Sequence, residues 1–477
     1  MPELTSLRKA TAVRRSTSEG GSSGLRTIGS AVSTMIRQTH ATCAVALICS
    51  FVASAQTPGR DPAVEEIVAA VSADRLAHDV QTLASFGTRH LYSDTTSATR
   101  GIGAAREWIR QQMAAAGPRL QVEFDTYQVA AQGGRLPRDV ELRNVIAVLP
   151  GRSPRRVYVT GHYDSVARRT DGTGDRDGFD WTRADNDAPG ANDDGSGTAL
   201  VMELARVFAQ SGVQFDATLV FVAFAGEEEG LVGSTLHAGR ASAAHWTIDA
   251  VLNNDIVGGS HGGDGVVDTS RVRVFSDGPE DSLSRSIARY VRRQAALYAP
   301  SQEVVLAARS DRFGRGGDHS PFNQEGFGAI RLTEARENYA RQHTVQDTPE
   351  GVDAAYLLRN ARVNAAALAS LALAPPAPTV VDERGRPTLT RGETGYDAHL
   401  SWQPSAGAAA YRILWRRAWA TDWEHERTVA AVTEATLPGV SIDDVVIGVA
   451  ALDARGHESL VSAYVVPVRP PLKVLTK

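Results

Sequence analysis

Basic blocks, long apolar runs and cysteine pairs are all missing from the body of this 477-residue chain. Without a cluster of lysines and arginines, and at a formal net charge of −5, nothing points to a nucleic-acid partner. Without an apolar segment of bilayer-spanning length there is no membrane anchor to read. The two cysteines, Cys43 and Cys49, both fall near the start, so stability has to come from a packed core and, with it, any bound metal.

That start reads as a leader. Residues 1–34 are rich in Ser, Gly and Arg and hold no apolar run, and Met35 then opens a secretory pattern. Arg37 supplies the positive region, Ala41 to Val52 a short apolar run, and Ala53-Ser54-Ala55 a small-residue cleavage site. The expectation is an N-terminal extension and signal peptide over 1–55, a true start at Met35, cleavage after Ala55 and an exported product, periplasmic or extracellular. Both cysteines would leave with the signal. Ile48 before Cys49 does not suit lipoprotein cleavage, which wants a small residue there.

Downstream, residues 62–117 read as mostly helical, with Leu76, Val80, Leu83 and Ala84 at three- and four-residue spacing. The period then shortens. Arg143–Leu149, Arg156–Thr160, Thr218–Phe224 and Ile248–Asn253 read as strands, and Thr198–Ala209, Ser282–Ala296 and Ala354–Leu373 as helices between or after them. The alternation predicts an α/β domain over 56–373 with a central, mostly parallel sheet, where ligands bind beyond the carboxyl ends of strands. Pro375-Pro376-Ala377-Pro378 marks a linker over 374–379. From 380 to 477 short strands alternate with turn signals, as in a β-sandwich. Trp402, Tyr411, Trp415 and the Leu437-Pro438-Gly439 corner resemble a fibronectin type III module.

Five acid-and-histidine islands carry the chemistry: His162-Tyr-Asp164, Asn192-Asp193-Asp194, Glu227-Glu228-Glu229, Asp255 and His343. Borderline-soft divalent ions take imidazole nitrogen and carboxylate oxygen in this mixture, so the set can hold a pair of zinc ions and leave one glutamate to move protons. Asp164, two residues past His162, can accept the other ring proton and fix the tautomer. Asp193 lies in a glycine-flanked turn before a helix. Three glutamates after an apolar strand repel one another unless cations share the space, although Glu229 reads equally well as solvated. His343 has Asp347 near enough in sequence to orient its ring, and on chemistry alone His319 could replace it as a ligand.

In order and spacing, the islands over residues 75–373 resemble the dinuclear zinc aminopeptidases of bacterial secretions, relatives of glutamate carboxypeptidases and glutaminyl cyclase. The resemblance implies that His162 and Asp255 hold one zinc, Glu228 and His343 the other, Asp193 bridges, Asp164 orients and Glu227 is the general base. It favours His343 over His319 and assigns Asp318 and His319 to a pocket near the metals. Family members often carry an aromatic residue before the final histidine; Gln342 stands there, with Tyr339 as a substitute. The function implied is hydrolysis of N-terminal peptide bonds in a peptide or protein substrate, with water activated between the two ions.

Three rivals follow. A carboxypeptidase on the same frame could use Arg309, Arg312 and Arg315 to pair with a substrate carboxylate. A glutaminyl cyclase needs one metal. A non-catalytic binding protein would act through the C-terminal module, whose partner the sequence does not name. Between His162 and Asp193, residues 168–188 form an acidic insertion with Phe179 and Trp181 in it: a solvated loop, a lid, or a calcium loop suggested by Asp175-x-Asp177-Gly178.

Overall fold

A computed structural model describes residues 60–311 and 315–465. The leader and its cleavage site lie outside the described residues. Eight strands form one sheet: β1 (Gln121–Val129), β2 (Val140–Leu149), β3 (Arg156–His162), β4 (Thr218–Phe224), β5 (Ile248–Asn254), β6 (Arg271–Ser276), β7 (Glu303–Ala307) and β8 (Ala329–Glu334), in the order β1-β2-β4-β3-β5-β8-β6-β7. At its centre β4, β3, β5 and β8 run parallel; β1, β2 and β6 introduce antiparallel pairings, so the sheet is mixed. The four strands read from sequence are here, and β5 sits at the centre. The sequence reading missed β1, β6, β7 and β8, which are partly polar or short.

Period-two alternation builds a core on each face. Val157, Val159, Leu219, Phe221 and Ala223 point to one side, against α2 (Ala73–Ser85), α3 (Gly101–Ala115), α4 (Gly195–Gln210) and α8 (Ala354–Leu373). Tyr158, Val220, Val222 and Phe224 point to the other, where Ala238 and Phe322 cover them from α5 (Val232–Ala243) and α7 (His319–Gln324). Covered on both faces, these strands are apolar throughout, which made them legible. Helix starts follow side-chain caps: Ser72 accepts from the Arg75 amide ahead of α2, and Asp353 from Ala355 and Tyr356 ahead of α8. Two further helices, α1 (Pro62–Ala69) and α6 (Leu283–Tyr298), complete the layer around α8.

Beyond α8, β9 (Leu389–Arg391), β10 (Ala398–Ser401) and β13 (Glu434–Leu437) make a three-stranded antiparallel sheet. A four-stranded one comprises β11 (Ala410–Arg417), β12 (His425–Ala430), β14 (Val445–Leu452) and β15 (Ser462–Ala463). Leu400, Trp402, Tyr411, Ile413, Leu437 and Val449 form their shared core. This part docks on α6: Arg289 donates to the Thr421 carbonyl at 2.7 Å, and Tyr290 to that of Glu458 at 3.1 Å.

Candidate metal centre

Three neighbouring parallel strands end at one edge, and three islands sit there: His162 closes β3, Glu227 and Glu228 follow β4, and Asp255 follows β5. Asp193 arrives from the turn before α4, and His343 from the segment between β8 and α8. Ligand atoms of His162, Glu227 and Asp255 lie within 4.8 Å of one another, as do those of Asp193, Glu228 and His343. His319 belongs to neither trio.

Asp193 ties the two together. One of its oxygens is 3.3 Å from His162 Nε2, the other 2.9 Å from His343 Nε2, and His343 Nε2 is 3.1 Å from Glu228 Oε1. A tetrahedral ion with bonds of about 2.0–2.1 Å places its ligands roughly 3.3 Å apart, close to these separations. Buried Glu228 Oε1 and Asp164 Oδ1 accept no hydrogen bond. Burial opposes the charged ring of His162, yet the Asp164 and Asp193 carboxylates override it and hold the imidazole well above its ordinary pKa. Burial pushes the Glu227 carboxyl well up, with Asp255 and Glu228 adding to it. Such a crowd of carboxylates favours cations, and nitrogen and oxygen donors at this spacing fit zinc.

The surroundings hold each donor in place. Asp164 lies 3.5 Å from His162 Nδ1 through one oxygen and accepts the Glu228 amide at 3.0 Å through the other, linking two islands. Asp194 accepts amides from His162, Gly197 and Ile256 at 3.0, 2.9 and 3.2 Å, joining the ends of β3 and β5 to α4. A Cβ on Gly197 would stand 2.3 Å from the Asn254 carbonyl oxygen, so only glycine permits that approach. Arg331 reaches Asp255 at 3.0 Å from β8. Fully buried Arg89 donates to the carbonyls of Tyr163, Pro189 and Gly190 at 2.5, 2.6 and 2.8 Å, fixing the approach to Asp193. Leu231, Ile256 and His343 all adopt positive φ, between 57° and 62°, a conformation that costs non-glycine residues and gathers at functional sites.

Several side chains depart from the sequence reading. Glu229 is 4% exposed rather than solvated, and its neighbour is His90 at 3.4 Å. Asp347 accepts the Asn192 and Asp193 amides at 3.0 and 2.9 Å, so it braces the bridging loop instead of the His343 ring. Gln342 donates to Asp193 Oδ2 at 3.0 Å, and Tyr339, 59% exposed, lines the same cavity. Asp318 and His319 are buried beside the centre; burial moves Asp318 up to about 7 and His319 down to about 4. Arg315 lines the cavity but pairs with Glu337 at 2.5 Å, Arg309 bonds the Ser310 carbonyl at 2.9 Å, and Arg312 lies outside the described residues.

The acidic insertion is an ordered wall. Trp181 is 8% exposed, and Phe179 stands edge-on to His343 at 5.7 Å between ring centres. Asp171 and Asp185 engage Arg169, while Asp175 accepts the Asp177 and Phe179 amides and the Trp181 ring N–H. Those oxygens are spent on the loop itself, unlike the open carboxylates of a calcium loop. Spacing along the chain did not signal the contact between Phe179 and His343. Arg331, a cation within the fully buried strand β8, is the signal in the sequence that could have pointed to the partner of Asp255.

Two cation-sized donor trios, with the Asp193 carboxylate of one reaching His162 of the other, lie at the carboxyl edge of a mixed sheet and define a hydrolase-type metal centre. The chain belongs to peptidase family M28, whose model matches residues 144–368. A protein of Pyricularia oryzae named "Probable zinc metalloprotease" is 38% identical over 449 residues, covering 86% of this chain and 85% of its own. One of the same name from Pyrenophora teres is 38% identical over 436 residues, covering 84% and 86%. The fold is shared with the Legionella pneumophila LapA aminopeptidase at TM-score 0.51 and 20% identity, over 66% of this chain and 76% of that one. Porphyromonas gingivalis glutaminyl cyclase gives TM-score 0.50 and 19% identity over 63% and 98%. An aminopeptidase and a cyclase on one frame mean that fold alone does not select the reaction.

Proposed function

We propose that this protein is an exported zinc aminopeptidase that holds two ions and hydrolyses N-terminal peptide bonds. The observation that carries the two-ion reading is the span of Asp193, with one oxygen toward His162 and the other toward His343. A cyclase, needing one ion, has no use for the second trio. The amino-end preference rests on the resemblance of the islands to secreted aminopeptidases, and export on the pattern from Met35 to Ala55.

His162 and Asp255 would hold one zinc, Glu228 and His343 the other, and Asp193 both. Zinc bound there supplies Lewis acidity, lowering the pKa of water toward neutrality and polarising a carbonyl. Glu227 faces the cavity among these groups and is not needed as a ligand. As general base it takes the proton of the attacking water and returns it to the leaving amine. Asp164 keeps His162 in the tautomer whose Nε2 lone pair faces metal.

The test is a cleavage profile on matched free-amine and N-acetylated peptides, before chelation, after it and on zinc return. Free-amine peptides should be cut from the amino end, blocked ones spared, and two zinc ions should restore activity. Cleavage of blocked peptides from the carboxyl end, or full activity with one ion per chain, would overturn this reading.

A further inference from the structure

The cavity in front of the metal centre has a volume of about 790 Å³. Its lining includes four carboxylates, Asp193, Glu227, Glu228 and Asp255, and three arginines, Arg135, Arg168 and Arg315. Two divalent ions would neutralise the carboxylates, and Glu337 answers Arg315. Arg135 and Arg168 remain, and among the described residues neither has a carboxylate within ion-pair reach.

Both are held in place without being neutralised. Arg135 donates one N–H to the Glu228 carbonyl at 2.8 Å and lies over Trp181 at 5.0 Å. Arg168 donates one N–H to the Gln342 carbonyl at 3.3 Å and lies over Phe179 at 5.3 Å, while its amide bonds the His343 carbonyl at 2.9 Å. Phe179 and Trp181 are themselves neighbours, 5.2 Å apart. The result is a continuous ladder, Arg135–Trp181–Phe179–Arg168, along the Glu228–His343 side of the centre. Stacking restrains a guanidinium while leaving its N–H edge free to form the fork that suits a carboxylate. The aromatic rungs come from the insertion, which gives that segment a task.

We propose that Arg135 and Arg168, ordered by Trp181 and Phe179, form a carboxylate-binding subsite, so that the preferred peptide carries an acidic group beside the scissile bond. This rests on reading the cavity as a peptidase site. The carboxylate can come from an aspartate or glutamate side chain or from the end of a very short peptide.

Zinc-loaded protein should be assayed on tripeptides that differ only as Glu or Gln at the first or second position, each as free acid and amide. Wild type should prefer one charged form over its neutral partner by about 10-fold in kcat/KM, mostly through KM, as charge-assisted hydrogen bonds give. A Glu-over-Gln gap identifies the side chain as the source, and an acid-over-amide gap the chain end. The R135Q/R168Q double variant should lose that gap, and R135K/R168K should recover part of it. Charged and neutral peptides within about twofold in wild type, or equal losses on both in R135Q/R168Q, would overturn the subsite. If no peptide is cleaved, the peptidase reading fails instead. Calorimetric binding of the same peptides then decides the subsite alone: tighter binding of the charged form, abolished in R135Q/R168Q, upholds it, and equal binding rejects it.

Discussion

Two charged clusters in this molecule obey opposite rules. Where the C-terminal sheets meet α6, Arg285, Arg289, Arg293, Arg412 and Arg416 interleave with Glu280, Asp281, Glu426 and Glu458, so the two signs are close to balanced. At the carboxyl edge of the large sheet, Asp164, Asp193, Asp194, Glu227, Glu228, Glu229, Asp255 and Asp318 crowd together with Arg89 and Arg331 as the buried arginines among them. In the first cluster every charge meets one of opposite sign supplied by the protein itself. The second has no such match, and unpaired buried charge is among the costliest things a fold can keep. Balance marks a seam; imbalance of one sign marks a place for something from outside.

The strongest way to break this contrast is to strip the metal. Chelation should take peptide hydrolysis to background and lower the melting midpoint; at free zinc about 100-fold above its Kd, bound metal is worth about 2.7 kcal/mol per site. A melting curve unmoved by chelator would mean that the acidic cluster needs no cation. Next is Glu227→Gln, expected to lower kcat by about two to four orders of magnitude with zinc content unchanged. Wild-type turnover in a fully loaded variant would remove Glu227 from the proton transfers.

In the seam, Arg416→Ala leaves Asp281 only the more distant Arg289, at 3.7 Å in place of 2.5 Å, and should cost about 3 kcal/mol in urea unfolding while kcat stays at the wild-type value. A matching loss of turnover in folded protein would show that the two clusters are not separate. A pH-dependent contrast comes from Asp79, an acid buried near Glu203, away from the islands' cluster of ligands. Burial raises it from 3.8 to about 7, so the folded state keeps a proton that the unfolded chain releases. The stability it contributes is full below about pH 4 and is lost as pH rises through about 7. Asp79→Asn should therefore match wild type at pH 4 and exceed it at pH 8 by about 2–4 kcal/mol. An equal difference at both values would exclude burial of the charge as the cause.

The central strands were legible because β3, β4 and β5 are apolar on both faces, and the helices because their apolar residues recur every three or four positions. The islands were legible because acids and histidines stand where those patterns stop. His319 and His343 could not be separated by spacing; contact with Asp193 and Glu228 separates them. Arg89 escaped notice, and the tasks of Asp194 and Asp347 were not legible, since each acts on backbone groups brought near only by folding. Glu229 looked like surface because a charge run usually is, and tertiary packing overrode that prior.

The order of residues by itself determined an α/β sheet, the strands that end at its working edge and the donor chemistry available there, because periodicity and side-chain type are local properties. Which donors share an ion, which arginine steadies Asp255, and how an acidic insertion becomes an aromatic rail for Arg135 and Arg168 were decided only in three dimensions. Those facts depend on distances between segments far apart in the chain, and such distances exist only once the chain has folded.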